Sequence, residues 1–177
     1  MNVTLPHCTT QGASLLIEHM LTVHDAFSLR EPYICDVQAI AVLHTIKNIL
    51  ELAASHHHKI FIAGDYDADG LCATAMMMTL CRGLNLTAGY YIPHRTQEGY
   101  GLKPHVAQQA IDKGYDVFIC VDNGVSAFDA IALLQAHHKK VIIIDHHTIT
   151  QPLHVDALLH PQVMTGIEVP LCTSGLV

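Results

Sequence analysis

The sequence predicts a doubly wound α/β domain with a mainly parallel sheet flanked by helices. Short runs rich in Ile, Val and Phe alternate with segments whose apolar residues recur at helical spacing. These strands are apolar on both faces, which is typical of a parallel sheet covered by helices on each side. In such sheets ligands bind at the carboxyl ends of the strands, so those positions are where functional residues are expected.

The predicted elements follow one another from residue 36 to residue 159. The first helix runs from Asp36 to Ser55, with apolar residues such as Ile46 and Leu50 at helical intervals. The strands are expected at 59–63, 87–92, 117–121, 141–144 and 157–159, and the further helices at 71–82, 104–113 and 127–137. Residues 1–35 are weakly patterned, with helical turns expected around 13–23. We therefore divide the chain into an N-terminal extension, 1–35, and one domain, 36–177.

Composition restricts the class of protein. Half of the residues are apolar and 14% are charged, which favours a compact domain over a disordered one. The net charge of −7 with nine Lys and Arg argues against a broad basic surface for nucleic acid, unless bound cations reverse the charge locally. Six scattered cysteines and the lack of an apolar stretch long enough to span a bilayer predict a cytoplasmic protein without membrane association.

The first candidate site is the segment GDYDADG at 64–70, directly after a predicted strand. Asp65, Asp67 and Asp69 would repel one another on one turn, and a hard divalent cation is their natural counter-charge. An Asp-rich surface turn with a helix N-cap is the structural alternative. An EF-hand loop is excluded, because the twelfth position counted from Asp65 is Met76 where a bidentate Glu is required.

Two further motifs follow two other predicted strands. Asp122 begins the segment DNGVS after strand 117–121, and Asp145-His146-His147 follows strand 141–144. Successive residues that leave a strand point to opposite sides, so one histidine can bind a metal while the other faces substrate, and Asp145 can orient a ring. A structural turn and a structural histidine pair are the alternatives, the latter in a chain with fifteen histidines.

Together the motifs offer Asp67, Asp69, Asp122 and His146 as metal ligands. A set with several carboxylates and one imidazole suits two Mn²⁺ or Mg²⁺ ions better than zinc. Two such ions about 3.5–4 Å apart activate a water and stabilise in-line displacement at phosphorus. The residues therefore indicate metal-assisted phosphoester hydrolysis.

A fourth motif, IPHRTQEGYGL at 92–102, follows the strand predicted at 87–92. The guanidinium of Arg95 could bind a phosphate through two hydrogen bonds. The ring of Tyr100 could stack on a base. A structural loop whose tyrosine packs on the sheet is the alternative.

These four segments, in this order and spacing, resemble the signature motifs of the DHH phosphoesterase superfamily, and R-x-x-E-G-Y-G-L resembles its RecJ-type branch. The resemblance covers residues 36–177 and implies a DHH phosphoesterase domain. It also implies two cations, Mn²⁺ or Mg²⁺, and 5′-to-3′ exonuclease activity on single-stranded DNA in repair and recombination. By position, Asp67 and Asp122 would bind one ion, and Asp69, Asp122 and His146 the other, with Asp122 as the bridge.

The resemblance also implies roles for the remaining site residues. His147 would contact the scissile phosphate, Asp145 would support the site from behind, and Asp65 would lie beside it among the catalytic residues. Arg95 and Tyr100 match residues expected to meet the DNA strand.

Some features depart from the family pattern. Ala63 stands where some members have His, so water could supply one ligand, and Thr173 stands where Gly is usual. The last metal-binding Asp and a C-terminal domain that completes the substrate groove are expected beyond Val177, so we expect feeble or no activity from these residues alone. The open alternatives are a phosphatase or nanoRNase that acts on small phosphoesters, and a non-catalytic nucleic-acid-binding relative.

Overall fold

The computed structural model describes residues 37–163 and 171–177, with side chains from residue 41 onward. The expected N-terminal extension, 1–35, and its helical turns around 13–23 lie outside the described residues. The division of the chain at residue 35 therefore stays a prediction.

Five parallel strands form one sheet among the described residues. The elements are α1 (Val37–Ser55), β1 (Ile60–Ala63), α2 (Ala68–Gly83), β2 (Ala88–Tyr91), α3 (Pro104–Asp112), β3 (Val117–Val121), α4 (Phe128–Ala136), β4 (Lys140–Ile144), β5 (Ala157–Leu159) and α5 (Thr173–Leu176). The strand order is β2-β1-β3-β4-β5, and every pairing is parallel. The chain moves to one side of β1 for β2 and to the other side for β3. The doubly wound fold is confirmed, and β1 and β3 flank its topological switch point.

The core consists of two apolar layers, one on each face of the sheet. In β1, Ile60 and Ile62 pack in the layer formed with α1 and α2. Phe61 and Ala63 alternate with them and pack in the layer formed with α3 and α4. All five residues of β3 are buried, as a central strand covered on both faces requires. The sheet is therefore a rigid support for the polar residues that follow its strands.

Helix α2 begins three residues before the predicted start at residue 71. Asp67 is its N-cap and accepts a hydrogen bond from the backbone N–H of Gly70 at 3.0 Å. The acidic motif is therefore both a strand end and a helix start. The four-residue helix α5 was not predicted, because so short a segment has no apolar periodicity. Among the described helices, none has the length and apolar character needed to cross a bilayer.

Substitution of Ile119, which is fully buried at the centre of β3, tests the two-layer core. We expect Ile119→Ala to lower the free energy of unfolding by about 2–5 kcal/mol, and Ile119→Val by about 1 kcal/mol, because each leaves a cavity. Urea denaturation in metal-free buffer measures both. Leu43→Ala is the control, since Leu43 is 43% exposed, and an equal loss from Leu43→Ala and Ile119→Ala would contradict the packing described here.

Candidate metal centre

Three strand ends bring the predicted motifs to one edge of the sheet. The acidic turn follows β1, Asp122 follows β3, and Asp145 follows β4. Because the strands are parallel and in register, with Ala63 beside Cys120 and Val121 beside Ile144, their carboxyl ends lie side by side.

Two groups of potential ligands meet at this edge, each with its ligand atoms within 4.8 Å of one another. One consists of Asp65, Asp67 and Asp122, and the other of Asp122, His146 and His147. Asp122 therefore belongs to both groups, which is the arrangement that a carboxylate bridging two cations requires.

Asp122 is 1% exposed and has a positive φ of 60°. Aspartate tolerates this left-handed conformation better than most residues, although the conformation still costs free energy. Its Oδ1 accepts a hydrogen bond from the Thr173 hydroxyl at 2.9 Å and lies 3.3 Å from Nε2 of His146. Its buried Oδ2 has no hydrogen-bond partner among the described residues.

Burial raises the pKa of Asp122 from its ordinary 3.8 to about 7. The hydrogen bond from Thr173 opposes this rise, whereas the charges of Asp69 and Asp67 add to it. Without a counter-charge, a substantial fraction of this carboxylate is therefore protonated near neutral pH, whereas an ordinary aspartate would be almost fully ionised.

Asp65 is the second buried carboxylate, 3% exposed, and its Oδ1 also lacks a partner within the described part of the chain. Burial raises its pKa, and the charge of Asp67 contributes. Close packing of α2 causes this burial: a Cβ at Gly70 would lie 2.7 Å from the backbone oxygen of Asp65. Two buried carboxylate oxygens without donors, beside the exposed Asp67, fit a site for a hard divalent cation.

Asp69 lies in the first turn of α2, and both of its oxygens accept backbone hydrogen bonds at 2.8 Å, from Thr173 and from Ser174. Burial alone would raise its pKa, but the hydrogen bonds from Ser174 and Thr173 outweigh burial and lower it. Its nearer oxygen is 3.8 Å from Nε2 of His146, and Asp69 lies outside both ligand groups. Its role as a ligand stays a prediction.

Asp145 is fully buried and uses both oxygens to hold the protein chain. Its Oδ1 accepts from the backbone N–H of His146 at 2.7 Å, and from the backbone N–H and ring Nδ1 of His147 at 3.1 and 2.8 Å. Its Oδ2 accepts from the backbone N–H of Val125 at 3.2 Å. These contacts orient the ring of His147 and leave Asp145 outside both ligand groups.

The ring of His147 lies between Asp145 and Tyr100. The Tyr100 hydroxyl donates to the backbone carbonyl of Asp122 at 2.9 Å, and its oxygen is 3.0 Å from Nδ1 of His147. Burial lowers the pKa of His147, but the hydrogen bond to Asp145 and the charges of Asp145, Asp122 and Asp65 outweigh it, so the pKa is raised. Burial also raises the pKa of Tyr100, which keeps its hydroxyl protonated.

Arg95 and Tyr100, the two predicted substrate-binding residues, have different surroundings. The exposed guanidinium of Arg95 lies over the ring of Tyr66, with its carbon 5.3 Å from the ring centroid. Tyr66 separates Asp65 from Asp67, so Arg95 stands beside the acidic turn. Tyr100 packs edge-to-face on His147, with ring centroids 5.2 Å apart. Contact of either residue with DNA stays a prediction.

Three residues of the site were not identified as such from the sequence. Asn123 is fully buried and donates to the carbonyls of Ala63 and Val121, both at 2.9 Å, which ties the ends of β1 and β3 together. Thr173 holds Asp69 and Asp122, as described above. His160 is buried under the turn after β4. The position of His160 directly after β5 is the one local signal that could have identified it.

The contribution of the Thr173 hydroxyl to folding can be tested by measuring the free energy of unfolding of two variants. Thr173→Val keeps the shape of the side chain but removes the donor to Asp122, so we expect the free energy of unfolding to fall by about 1–3 kcal/mol. Thr173→Ser keeps the hydroxyl and should lose no more than about 1 kcal/mol. Chemical denaturation without added metal measures the free energy of unfolding of both variants. Equal losses of stability would show that the hydrogen bond is unimportant.

Comparison with known proteins identifies the family. The model of the "DHH family, N-terminal domain" matches residues 59–177. The chain is similar to the single-stranded-DNA-specific exonuclease RecJ of Haemophilus influenzae, 40% identical over 118 residues, which cover 66% of this chain and 20% of that protein. It is 35% identical over 114 residues to the RecJ of Bacillus subtilis, and the match covers 64% of this chain and 14% of that protein. The chain thus spans a fifth or less of these curated relatives.

Solved structures agree with the sequence comparison. A crystal structure of exonuclease RecJ bound to manganese superimposes with a TM-score of 0.68 at 29% identity, over 73% of this chain and 33% of that chain. RecJ from Thermus thermophilus in complex with Mn²⁺ superimposes with a TM-score of 0.62 at 25% identity, over 73% and 18%. Since the family model matches well over half of the 177 residues and the parallel sheet superimposes on RecJ structures, the chain belongs to the DHH family.

Proposed function

We propose that the domain hydrolyses phosphodiester bonds of single-stranded DNA, as an exonuclease of the RecJ type, with two divalent cations bound at the carboxyl edge of its sheet. The observation that carries this proposal is the position of Asp122, a buried carboxylate common to two groups of ligands. The unpartnered buried oxygens of Asp65 and Asp122 support it, because a cation is the simplest group that satisfies both.

Mn²⁺ or Mg²⁺ suits the first of these groups better than zinc. Carboxylate oxygens dominate the first group, and cysteine is absent from both. Asp67 and Asp122 would hold one cation, with Asp65 near enough to contribute, and Asp122, His146 and Asp69 the other. The manganese-bound RecJ structures, which share this fold, support the same choice of metal.

Such a pair of cations lowers the pKa of a water molecule and stabilises negative charge on a phosphate. The protein's own contribution centres on His147, whose Nδ1 is fixed by Asp145 at 2.8 Å. Its Nε2 is left to donate a hydrogen bond to a phosphate oxygen, and the raised pKa favours the protonated ring that can do so. Tyr100 restrains both the His147 ring and the backbone of Asp122.

A strand of DNA would approach from the side of the acidic turn that carries Arg95. This exposed guanidinium, stacked on Tyr66, could hold a neighbouring backbone phosphate. The RecJ relatives are named as specific for single-stranded DNA, which supports this substrate. Digestion from the 5′ end, a role in repair and recombination, a further domain that completes the groove and a cytoplasmic location stay predictions.

Nucleotide release from labelled single-stranded DNA in the presence of Mn²⁺ tests the function. We expect feeble release from the wild type and none detectable from Asp122→Asn, because both cations would lose a charged ligand. Glu51→Gln makes the same carboxylate-to-amide change on a side chain that is 63% exposed on α1, and should have no effect. Release that resists both Asp122→Asn and a chelator would contradict the metal centre. Faster hydrolysis of dinucleotides than of long strands would favour a small-phosphoester enzyme instead.

The pH dependence of stability gives a second test. Because folding raises the pKa of Asp122 from 3.8 to about 7, its contribution to stability is fully present below pH about 4 and is lost as the pH rises through about 7. Without metal, Asp122→Asn should match the wild type near pH 4 and become more stable than it by pH 8, by on the order of 2 kcal/mol. Chemical denaturation at several pH values measures this difference.

Added Mn²⁺ should make the wild type more stable than Asp122→Asn at pH 8, because Mn²⁺ can stabilise only the protein that binds it. The wild type is therefore expected to gain thermal stability with Mn²⁺ and Asp122→Asn to gain little. A stability difference that stays constant with pH, or equal stabilisation of both proteins by Mn²⁺, would rule out the proposed electrostatics.

A further inference from the structure

His160 is a fully buried histidine to which neither the sequence motifs nor the proposed chemistry gives a role. It follows β5 directly, and its ring lies under the turn that carries Asp145, His146 and His147. One ring nitrogen, Nε2, is 2.7 Å from the backbone carbonyl oxygen of His147, and the other, Nδ1, is 3.0 Å from the backbone nitrogen of Gln162. Both polar atoms of the ring therefore have partners in the backbone.

These two partners determine the state of the ring. The backbone N–H of Gln162 can only donate, so Nδ1 of His160 must be the acceptor and carry no proton. The carbonyl of His147 can only accept, so Nε2 must carry the proton. His160 is thus a neutral imidazole in a single tautomer, in which Nε2 is the donor and Nδ1 is the acceptor.

A second contact makes this segment a clamp on the turn. The side-chain oxygen of Gln162 accepts from the backbone N–H of Ile149 at 2.8 Å. Residues 160 and 162 therefore hold the backbone on both sides of residue 148. The connection between β4 and β5, to which residue 148 belongs, contains neither helix nor strand. Such a connection would otherwise be free to change its backbone angles.

The backbone that is held determines where two functional rings point. Nε2 of His146 lies 3.3 Å from Oδ1 of Asp122, and Nδ1 of His147 lies 2.8 Å from Oδ1 of Asp145. If the His147 carbonyl lost this partner, the turn could shift as a whole, and a shift of its Cα atoms would move both rings from these partners. In metal sites, groups that orient the ligands from behind commonly change metal affinity by about 10–100-fold when they are replaced.

We propose that His160 is a positioning residue, which through its Nε2–H fixes the His147 carbonyl and so directs His146 and His147 into the metal centre. The inference rests on the proposed function for its chemistry, but its structural part concerns two hydrogen bonds of the metal-free protein. A histidine that only filled the core would have no influence on the rings of residues 146 and 147.

A matched pair of variants tests the two ring nitrogens of His160 separately. In His160→Gln the side-chain amide can take the place of Nε2–H and donate to the His147 carbonyl, whereas the acceptor for Gln162 is lost. In His160→Asn the shorter side chain can offer an acceptor to Gln162, whereas the donor to His147 is lost. Leu134→Ala, in the apolar layer on α4, controls for a general loss of core stability.

Calorimetric titration of the full chain with Mn²⁺ is the first measurement. We expect His160→Asn to weaken Mn²⁺ binding by about 10-fold or more, and His160→Gln to stay within about threefold of the wild type. Leu134→Ala should bind Mn²⁺ like the wild type at a temperature where it is folded. Equal Mn²⁺ affinities for His160→Asn and His160→Gln would overturn the proposal.

Nitrogen NMR of the histidine rings, without metal, is the second measurement. The protonated Nδ1 of His147, hydrogen-bonded to Asp145, should give the same resonance in the wild type and in His160→Gln, and a shifted or exchange-broadened one in His160→Asn. An unchanged resonance in His160→Asn would overturn the positioning role. If the wild type failed to bind Mn²⁺, the proposed function would fall, and the NMR comparison would still decide the role of His160.

Discussion

The geometry of the candidate metal centre depends on one buried carboxylate, that of Asp122. It leaves the central strand in a left-handed conformation, and four separate segments reach it: the acidic turn after β1, the histidine pair after β4, the loop with Tyr100, and Thr173. Each segment comes from a different part of the chain, so the parallel sheet is what makes their convergence possible. A charge this poorly solvated requires a counter-charge, and the two ligand groups that share Asp122 could hold cations that supply it.

Neighbouring groups give the carboxylates at this edge of the sheet different ionisation and hydrogen bonding. Asp69 receives two backbone N–H groups and stays ionised, whereas Asp65 and Asp122 are buried and have raised pKa values. Asp145, also buried, directs both of its oxygens to N–H donors of the protein. Burial and hydrogen-bond donors thus give these carboxylates different ionisation and different numbers of free oxygens, although the residue type is the same.

Much of this arrangement could be predicted from the sequence. Strands apolar on both faces predicted the parallel sheet, and the position of Asp65, Asp122 and Asp145 directly after three such strands predicted that they meet at one edge. The contacts of Thr173 and His160 could not be predicted, because they depend on tertiary hydrogen bonds; the position of His160 directly after β5 indicates the edge of the sheet but not its partners. For Tyr100 both sequence alternatives stayed open, and only the structure shows its contact with His147.

The hydrogen bonds from α5 have a consequence for how the protein is made. Thr173 contacts Asp69 across 104 positions of the sequence and Asp122 across 51. During synthesis on the ribosome, the acidic turn therefore emerges long before the donors that hold Asp69 exist. Contacts between residues so far apart close late, because ordering the intervening chain is entropically unfavourable. A growing chain would thus expose a cluster of mutually repelling acids until α5 had docked.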